Sequence, residues 1–195
     1  PMAEANRRCD HLLCVNPRMS RYKDASKTIF NVFREFTPLV EGLSLDEAFL
    51  DVTASMRLFG TSRNIATEIK RRILADTQLK ASVGVAENKL VAKIASDLHK
   101  PDGLTIVTPA DYARVLDPLP VRVIPGIGRE TLKRLSAVGV TTMKDLRTAD
   151  THDLEPIFGR FTEKTRDRAA GIDARPVVPS REEKSISAEE TYDKD

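Results

Sequence analysis

"EGLSLDEAFLDVT", residues 41–53, sets two acids, Asp46 and Glu47, side by side in an otherwise apolar, strand-like run. Side chains of a straight strand alternate between its two faces, so adjacent carboxylates on one strand point apart. Leu43 and Leu45 alternate before the pair, and Leu50 and Val52 after it, which predicts two strands joined by a tight connection at 46–47. At such a hairpin tip the backbone reverses and both carboxylates can serve one site. Two hard oxygen donors suit Mg²⁺, which takes one or two carboxylates and completes its shell with waters and substrate phosphates. Two such ions can stabilise the attacking and leaving oxygens of phosphoryl or nucleotidyl transfer. Acids are also good turn residues, so the pair alone leaves an ordinary turn open.

Helix and strand alternate around this hairpin. Residues 11–16 ("HLLCVN") predict a strand, followed by a helix to about residue 36 in which Tyr22, Ala25, Ile29, Phe33 and Phe36 recur at helical spacing. Pro38 ends it. Ile65, Ile69 and Ile73 mark the buried face of a second helix over 62–78, and "KASVGVA", residues 80–86, predicts the next strand. In "ENKLVAKIASDLHKPDG", residues 87–103, Leu90, Val91, Ile94, Ala95 and Leu98 form one apolar stripe and leave Lys89 and Lys93 on another side. Pro101, Asp102 and Gly103 supply a turn before the strand "LTIVT", 104–108. Beyond about residue 115 only short helices are predicted, so a domain boundary falls there and the fold class is α+β. From Pro176 the sequence is polar and acidic until "KSISAEETY", 184–192, where a strand could start.

Composition narrows the function. The 195 residues are 41% hydrophobic and 31% charged, as in a globular protein with a sizeable core. No apolar run is long enough for a membrane span, and no secretory signal is evident, which predicts a cytoplasmic protein without a membrane partner. Cys9 and Cys14 have neither zinc nor disulfide-framework spacing and are expected to be buried or incidental thiols. His11, His99 and His152 are isolated, so any metal needs oxygen ligands. The net charge of +2 hides an uneven division. Residues 61–100 hold eight Lys/Arg against four Asp/Glu, and 119–172 hold ten against seven, whereas the last twenty hold three against six. Basic faces of this kind can meet a polyanion.

One stretch looks built for such an encounter. In "IPGIGRETLKRLSAVGV", residues 124–140, Pro125 and Gly126 break one short helix and Gly128 opens the next, the layout of a helix-hairpin-helix. Glycines without Cβ let a phosphate approach the backbone, and the free N–H groups of the second helix point at it. Arg129, Lys133 and Arg134 add positive charge. Contacts of this type hold a duplex without reading its sequence, and they weaken with salt.

Three motifs now stand in order: "SLDEAFLDVT" (44–53), "ASVGVAENKLVAKIASDLHKPDG" (81–103) and "LPVRVIPGIG" (119–128). Together they resemble the palm and thumb signatures of the Y-family DNA polymerases, the translesion enzymes, and most closely the bacterial polymerase IV type. The resemblance covers nearly the whole chain. It implies a partial palm with the end of the fingers over 1–115, a helical thumb with its helix-hairpin-helix over 116–178, and a linker toward a little-finger domain over 179–195. It implies that Asp46 is a ligand to two catalytic Mg²⁺ ions and that Glu47 completes the acidic site beside the primer end. Lys100 matches the lysine that contacts the triphosphate of the incoming nucleotide, whereas Lys89 and Lys93 are expected to be ordinary helix lysines. Gly126, Gly128, Arg129 and Lys133 become contacts to the DNA backbone. Asp51, five residues past Asp46, is expected to be a structural acid. "FGRFTEKTRDRAAGID", 158–173, resembles the end of the thumb, and its Arg160, Lys164 and Arg168 are assigned no site.

The implied partners are primer–template DNA and a deoxynucleoside triphosphate, acting on a monomer, with room for a sliding-clamp contact in a full-length protein. Polymerases of the family begin with a strand bearing a further metal-binding aspartate, an aromatic residue that excludes ribonucleotides, and most of the fingers. This sequence holds none of these, so the chain by itself is expected to incorporate no nucleotide. A non-catalytic DNA-binding relative acting through its helix-hairpin-helix is the alternative. A palm-like nucleotidyl cyclase shares the metal chemistry but has no use for the duplex-gripping helices.

Overall fold

The computed structural model describes residues 2–9 and 11–180. After a short helix α1 (Met2–Arg8), helix α2 (Met19–Phe36) leads into a hairpin of β1 (Val40–Gly42) and β2 (Ala48–Leu50). Helices α3 (Met56–Phe59) and α4 (Ser62–Thr77) follow, then β3 (Val83–Val85), α5 (Lys89–Leu98) and β4 (Leu104–Ile106). The strands form two pairs, β1–β2 antiparallel and β3–β4 parallel, with α5 as the crossover of the second. Beyond β4 the elements of the described residues are helical: α6 (Tyr112–Leu116), a 3₁₀ turn at Val121–Val123, α7 (Arg129–Ala137), α8 (Met143–Thr148), α9 (Thr151–Phe158) and α10 (Thr162–Ala169). The α+β class expected from the sequence is what the chain adopts.

Two cores organise these elements. Val32 and Phe36 of α2 pack on Ile65, Ile69 and Ile73 of α4, the isoleucines being the face that their four-residue spacing predicted. Of the predicted α2 stripe Phe36 is buried and Ile29 and Phe33 pack against this core beside Val32, whereas Tyr22 at its start is half exposed. The larger core joins Leu90, Val91, Ile94 and Ala95 of α5 to Leu116, Leu135, Met143, Leu146 and Leu154 of the C-terminal helices. Helix α5 is thus packed from both sides. A Cβ on Gly84 of β3 would lie 2.0 Å from the Ala92 carbonyl oxygen and 2.4 Å from the Ser96 nitrogen, so only glycine lets strand and helix approach this closely.

Several local expectations are corrected. Residues 12–18 form no strand, and Leu13 and Val15 are strongly exposed there. An apolar run becomes a strand only beside a pairing partner, and the segment has none among the described residues. Of the two states expected for Cys9 and Cys14, the incidental one holds: both are exposed free thiols. The hairpin is displaced three residues toward the N-terminus on one side and two on the other, so its strands are 40–42 and 48–50 and the connection is the five residues 43–47. Leu43 and Leu45 lie exposed in that loop, where alternation carries no strand. The helix before the glycine hairpin is a single 3₁₀ turn. The strand expected at "KSISAEETY" and most of the linker over 179–195 fall outside the described residues. Among the described residues no helix is long and apolar enough to cross a membrane.

Candidate active site

The acidic pair closes the hairpin loop. Leu43 N–H donates to the Glu47 carbonyl oxygen at 2.8 Å, which ties the two ends of the five-residue connection together. Asp46 is exposed, and its Oδ1 accepts the Ser44 hydroxyl at 2.6 Å, so a local turn sets its rotamer. Glu47, half-buried at the mouth of β2, turns toward α5 and accepts from Lys93 Nζ at 2.7 Å through Oε1. The two acids therefore have different partners. Asp51 lies just past β2: its Oδ1 accepts Thr53 N–H at 3.0 Å, and its backbone carbonyl accepts the Thr37 hydroxyl at 2.6 Å.

Helix α5 presents a charged face to this loop. Asn88 caps it by accepting Val91 N–H at 3.0 Å, and its amide donates to the Gly171 carbonyl at 2.8 Å. Lys89, Lys93 and Asp97 follow at four-residue steps, which stack on one face. Lys89 pairs with Glu41 of β1 at 2.8 Å, Lys93 with Glu47 at 2.7 Å and Asp97 at 3.3 Å, and Asp97 with Lys100 at 2.5 Å. Partial burial works against the charge of Lys93, yet the hydrogen bond to Glu47 and the nearby Asp97 raise its pKa above the ordinary lysine value. Asp97, despite its own partial burial, is held below the usual carboxylate range by Lys100 and Lys93.

Sequence reasoning took Lys89 and Lys93 for ordinary helix lysines, and both are instead paired with hairpin acids. Their four-residue spacing signalled the Lys93–Asp97 pair but not the hairpin partners. Lys100 lies two residues past α5, half exposed, its ammonium on Asp97. Through this row Glu47 and Lys100 are connected by three consecutive ion pairs. Among the described residues no three His, Cys, Asp or Glu side chains gather as a metal-ligating group. The donors at hand are thus two adjacent carboxylates, a set that fits Mg²⁺ when substrate phosphates and waters supply the rest.

The glycine hairpin lies in the C-terminal helices. Gly126 has φ +99°, a backbone that L side chains rarely adopt. Gly128 is the N-cap of α7 in extended conformation, and a Cβ on either glycine would meet nothing within 4 Å. Arg129 and Lys133 are exposed on α7, and Lys133 pairs with exposed Glu130 at 2.8 Å. Arg134 donates to the Pro156 carbonyl and so braces α7 against α9.

Known proteins with this pattern are polymerases. The impB/mucB/samB family model matches residues 1–97. DNA polymerase IV of Marinomonas sp. (strain MWYL1) is 46% identical over 195 residues, all of this chain and 55% of that protein. The DNA polymerase IV of Pseudomonas aeruginosa (strain UCBPP-PA14) is 43% identical over 194 residues and 56% of its length. The crystal structure of DinB from Sulfolobus solfataricus superposes with a TM-score of 0.81 at 31% identity, over 91% of this chain and 52% of that one. The insertion ternary complex of Dbh DNA polymerase gives 0.80 at 31% identity, over 91% and 52%. The chain spans about half the length of the relatives it matches. The acidic hairpin, the charged face of α5 and these likenesses lead to one conclusion: the chain belongs to the Y family of DNA polymerases.

Proposed function

We propose that the chain forms part of the palm and the thumb of a translesion DNA polymerase, which joins a deoxynucleotide to a primer 3′-hydroxyl opposite a template. In this reading residues 1–115 belong to the palm and 116–178 to the thumb, and the complete protein works in the cytoplasm as a monomer. The primer 3′-hydroxyl gives its proton to solvent and its oxygen bonds to the α-phosphorus as the α–β phosphoanhydride bond breaks and pyrophosphate leaves. Asp46 and Glu47 hold divalent cations, Mg²⁺ by donor chemistry, which when bound supply charge stabilisation for the phosphates. Glu47 can do so with Oε2, since Lys93 occupies Oε1. Lys100 keeps one ammonium donor on Asp97 and offers the others to the triphosphate. Gly126, Gly128, Arg129 and Lys133 grip the duplex backbone, so binding and chemistry reside in different elements.

The observation that supports this reading is the row of ion pairs from Glu47 by way of Lys93 and Asp97 of α5 to Lys100, which links the acid proposed to hold a cation to the lysine proposed to meet the triphosphate. Primer extension by a full-length polymerase carrying these residues tests it. Asp46→Ala and Glu47→Ala are expected to abolish extension and leave primer–template affinity largely intact. Near-parental extension by either would falsify the site. The 195-residue chain alone is expected to bind duplex DNA without extending it, and extension by it would show that the acids here suffice.

A further inference from the structure

Glu47 meets a shared cation. Lys93 Nζ lies 2.7 Å from Glu47 Oε1 and 3.3 Å from Asp97 Oδ2, and Asp97 Oδ1 lies 2.5 Å from Lys100 Nζ. The four side chains alternate in sign and sum to zero, so each inner charge is balanced from two sides. Their mechanical supports differ. Glu47 closes a five-residue loop, whereas Lys93 stands on a helix fixed by Val91, Ile94 and Ala95 in the core and by the close approach of Gly84. The Lys93 side chain is 25% exposed against 40% for Glu47. The lysine is the fixed point, and the carboxylate is positioned by it.

From this geometry we infer that Lys93 is a positioning residue of the polymerase reaction: it fixes the Glu47 carboxylate and, through Asp97, sets its spacing to Lys100. The inference rests on the roles proposed above for Asp46, Glu47 and Lys100. Lys93 itself touches neither substrate nor reacting atoms in this scheme. Its ammonium binds one oxygen of Glu47 and leaves the other for a cation, so pairing and ligation coexist on one carboxylate. Without it, Glu47 loses its only partner among the described side chains, and Asp97 is left to Lys100 alone. Partners that orient a metal-holding group in this way typically account for about 10- to 100-fold in metal affinity or activity.

The test uses a full-length polymerase carrying these residues. Lys93→Met keeps the stem length and removes the charge, and Lys93→Arg keeps the charge. Lys93→Met is expected to lower kcat about 10- to 100-fold with primer–template affinity unchanged. It is also expected to raise the Mn²⁺ concentration that half-saturates a complex of dideoxy-terminated primer–template and dNTP. That concentration is read without turnover from the electron paramagnetic resonance of free Mn²⁺. Lys93→Arg is expected to restore most of both. Parental rate and Mn²⁺ affinity in Lys93→Met overturn the inference, as does loss of primer–template binding in both variants, which marks a structural role. Asp46→Ala run alongside separates the two levels. An active Asp46→Ala removes the proposed site and this inference with it, whereas an inactive Asp46→Ala beside a fully active Lys93→Met removes the inference alone.

Discussion

Lys89 and Glu41 meet as a buried ion pair, Nζ to Oε2 at 2.8 Å, with side chains 5% and 9% exposed. The same oxygen accepts Val178 N–H at 2.8 Å. Strand β1, helix α5 and the segment returning from the C-terminal helices are therefore joined at one atom. The Phe49 ring lies 5.4 Å from the ammonium and adds a favourable cation–π contact. One arm of the acidic hairpin is thus anchored on the same helix that carries Lys93.

Removing one partner of a buried ion pair typically costs about 3 to 5 kcal/mol, an upper bound here because Glu41 keeps the Val178 N–H and has the Arg175 charge nearby. Lys89→Met is expected to destabilise the chain by that order in urea unfolding. Combining it with Glu41→Gln removes the buried charge that Lys89 balanced and is expected to recover part of the loss. Strictly additive losses in the double variant would contradict the coupling.

The long-period features of the fold were legible in the sequence because they depend on local geometry. Ile65, Ile69 and Ile73 could face only one way on a helix, and the stripe from Leu90 to Ala95 likewise, and both are core. The hairpin was legible as a reversal, but its register was not. Leu43 and Leu45 alternate like strand residues, yet they crest the loop at 49% and 42% exposure, and alternation alone does not distinguish the two states. Lys89 and Lys93 were hidden because their partners, Glu41 and Glu47, are 48 and 46 residues away. Periodicity reports which face is apolar and says nothing of which charges a distant strand brings to the other.

If the proposed duplex contact holds, Gly128 is where folding and DNA binding can be separated. Its φ of −91° is open to any residue, and a Cβ there meets nothing within 4 Å, so the fold does not require glycine. Asp is a favoured N-cap and suits the positive end of a helix. Gly128→Asp is expected to leave the melting temperature unchanged or higher while weakening duplex binding about tenfold or more, because it sets a negative charge where the phosphate would lie. Arg129→Ala and Lys133→Ala are each expected to reduce the slope of log affinity against log salt by about 1. Fluorescence anisotropy over a salt series checks both, and undiminished binding by Gly128→Asp would remove the glycine hairpin from the interface.

Asp145 gives the helical part a definite acid limit. Its Oδ2 accepts Thr142 N–H at 2.9 Å and Thr141 N–H at 3.1 Å, while Thr142 Oγ1 accepts Asp145 N–H at 3.1 Å. These bonds, that from the Thr142 backbone foremost, hold the Asp145 carboxyl at about 2. The folded value is below the unfolded one of about 3.9. The stabilisation is therefore present above about pH 4 and lost as the pH falls through about 2. Helix α8 supplies Met143 and Leu146 to the core, so loosening its start is felt globally. Asp145→Ala is expected to lower the melting temperature by roughly 2 to 4 °C at neutral pH. The difference from the parent should shrink toward pH 2 in circular dichroism melts, and a constant difference across that range would point to a cause other than the cap.

Lys100 is held by so little that its conservation of structure is not the issue. Its side chain is 52% exposed, and its partner Asp97 is three residues away and 48% exposed, an arrangement worth at most about 1 kcal/mol. Lys100→Ala is therefore expected to leave the melting temperature unchanged. In a full-length polymerase carrying these residues it should raise the KM for dNTP about 10- to 100-fold, the usual worth of a hydrogen bond to a charged group. Lys100→Arg keeps the charge but replaces a compact ammonium by a planar fork, and an intermediate KM is expected. Added salt screens an exposed charge of this kind, so the gap between parent and Lys100→Ala should narrow as ionic strength rises. An unchanged KM in Lys100→Ala would leave the ammonium as a helix-end charge paired with Asp97 and take the triphosphate contact elsewhere.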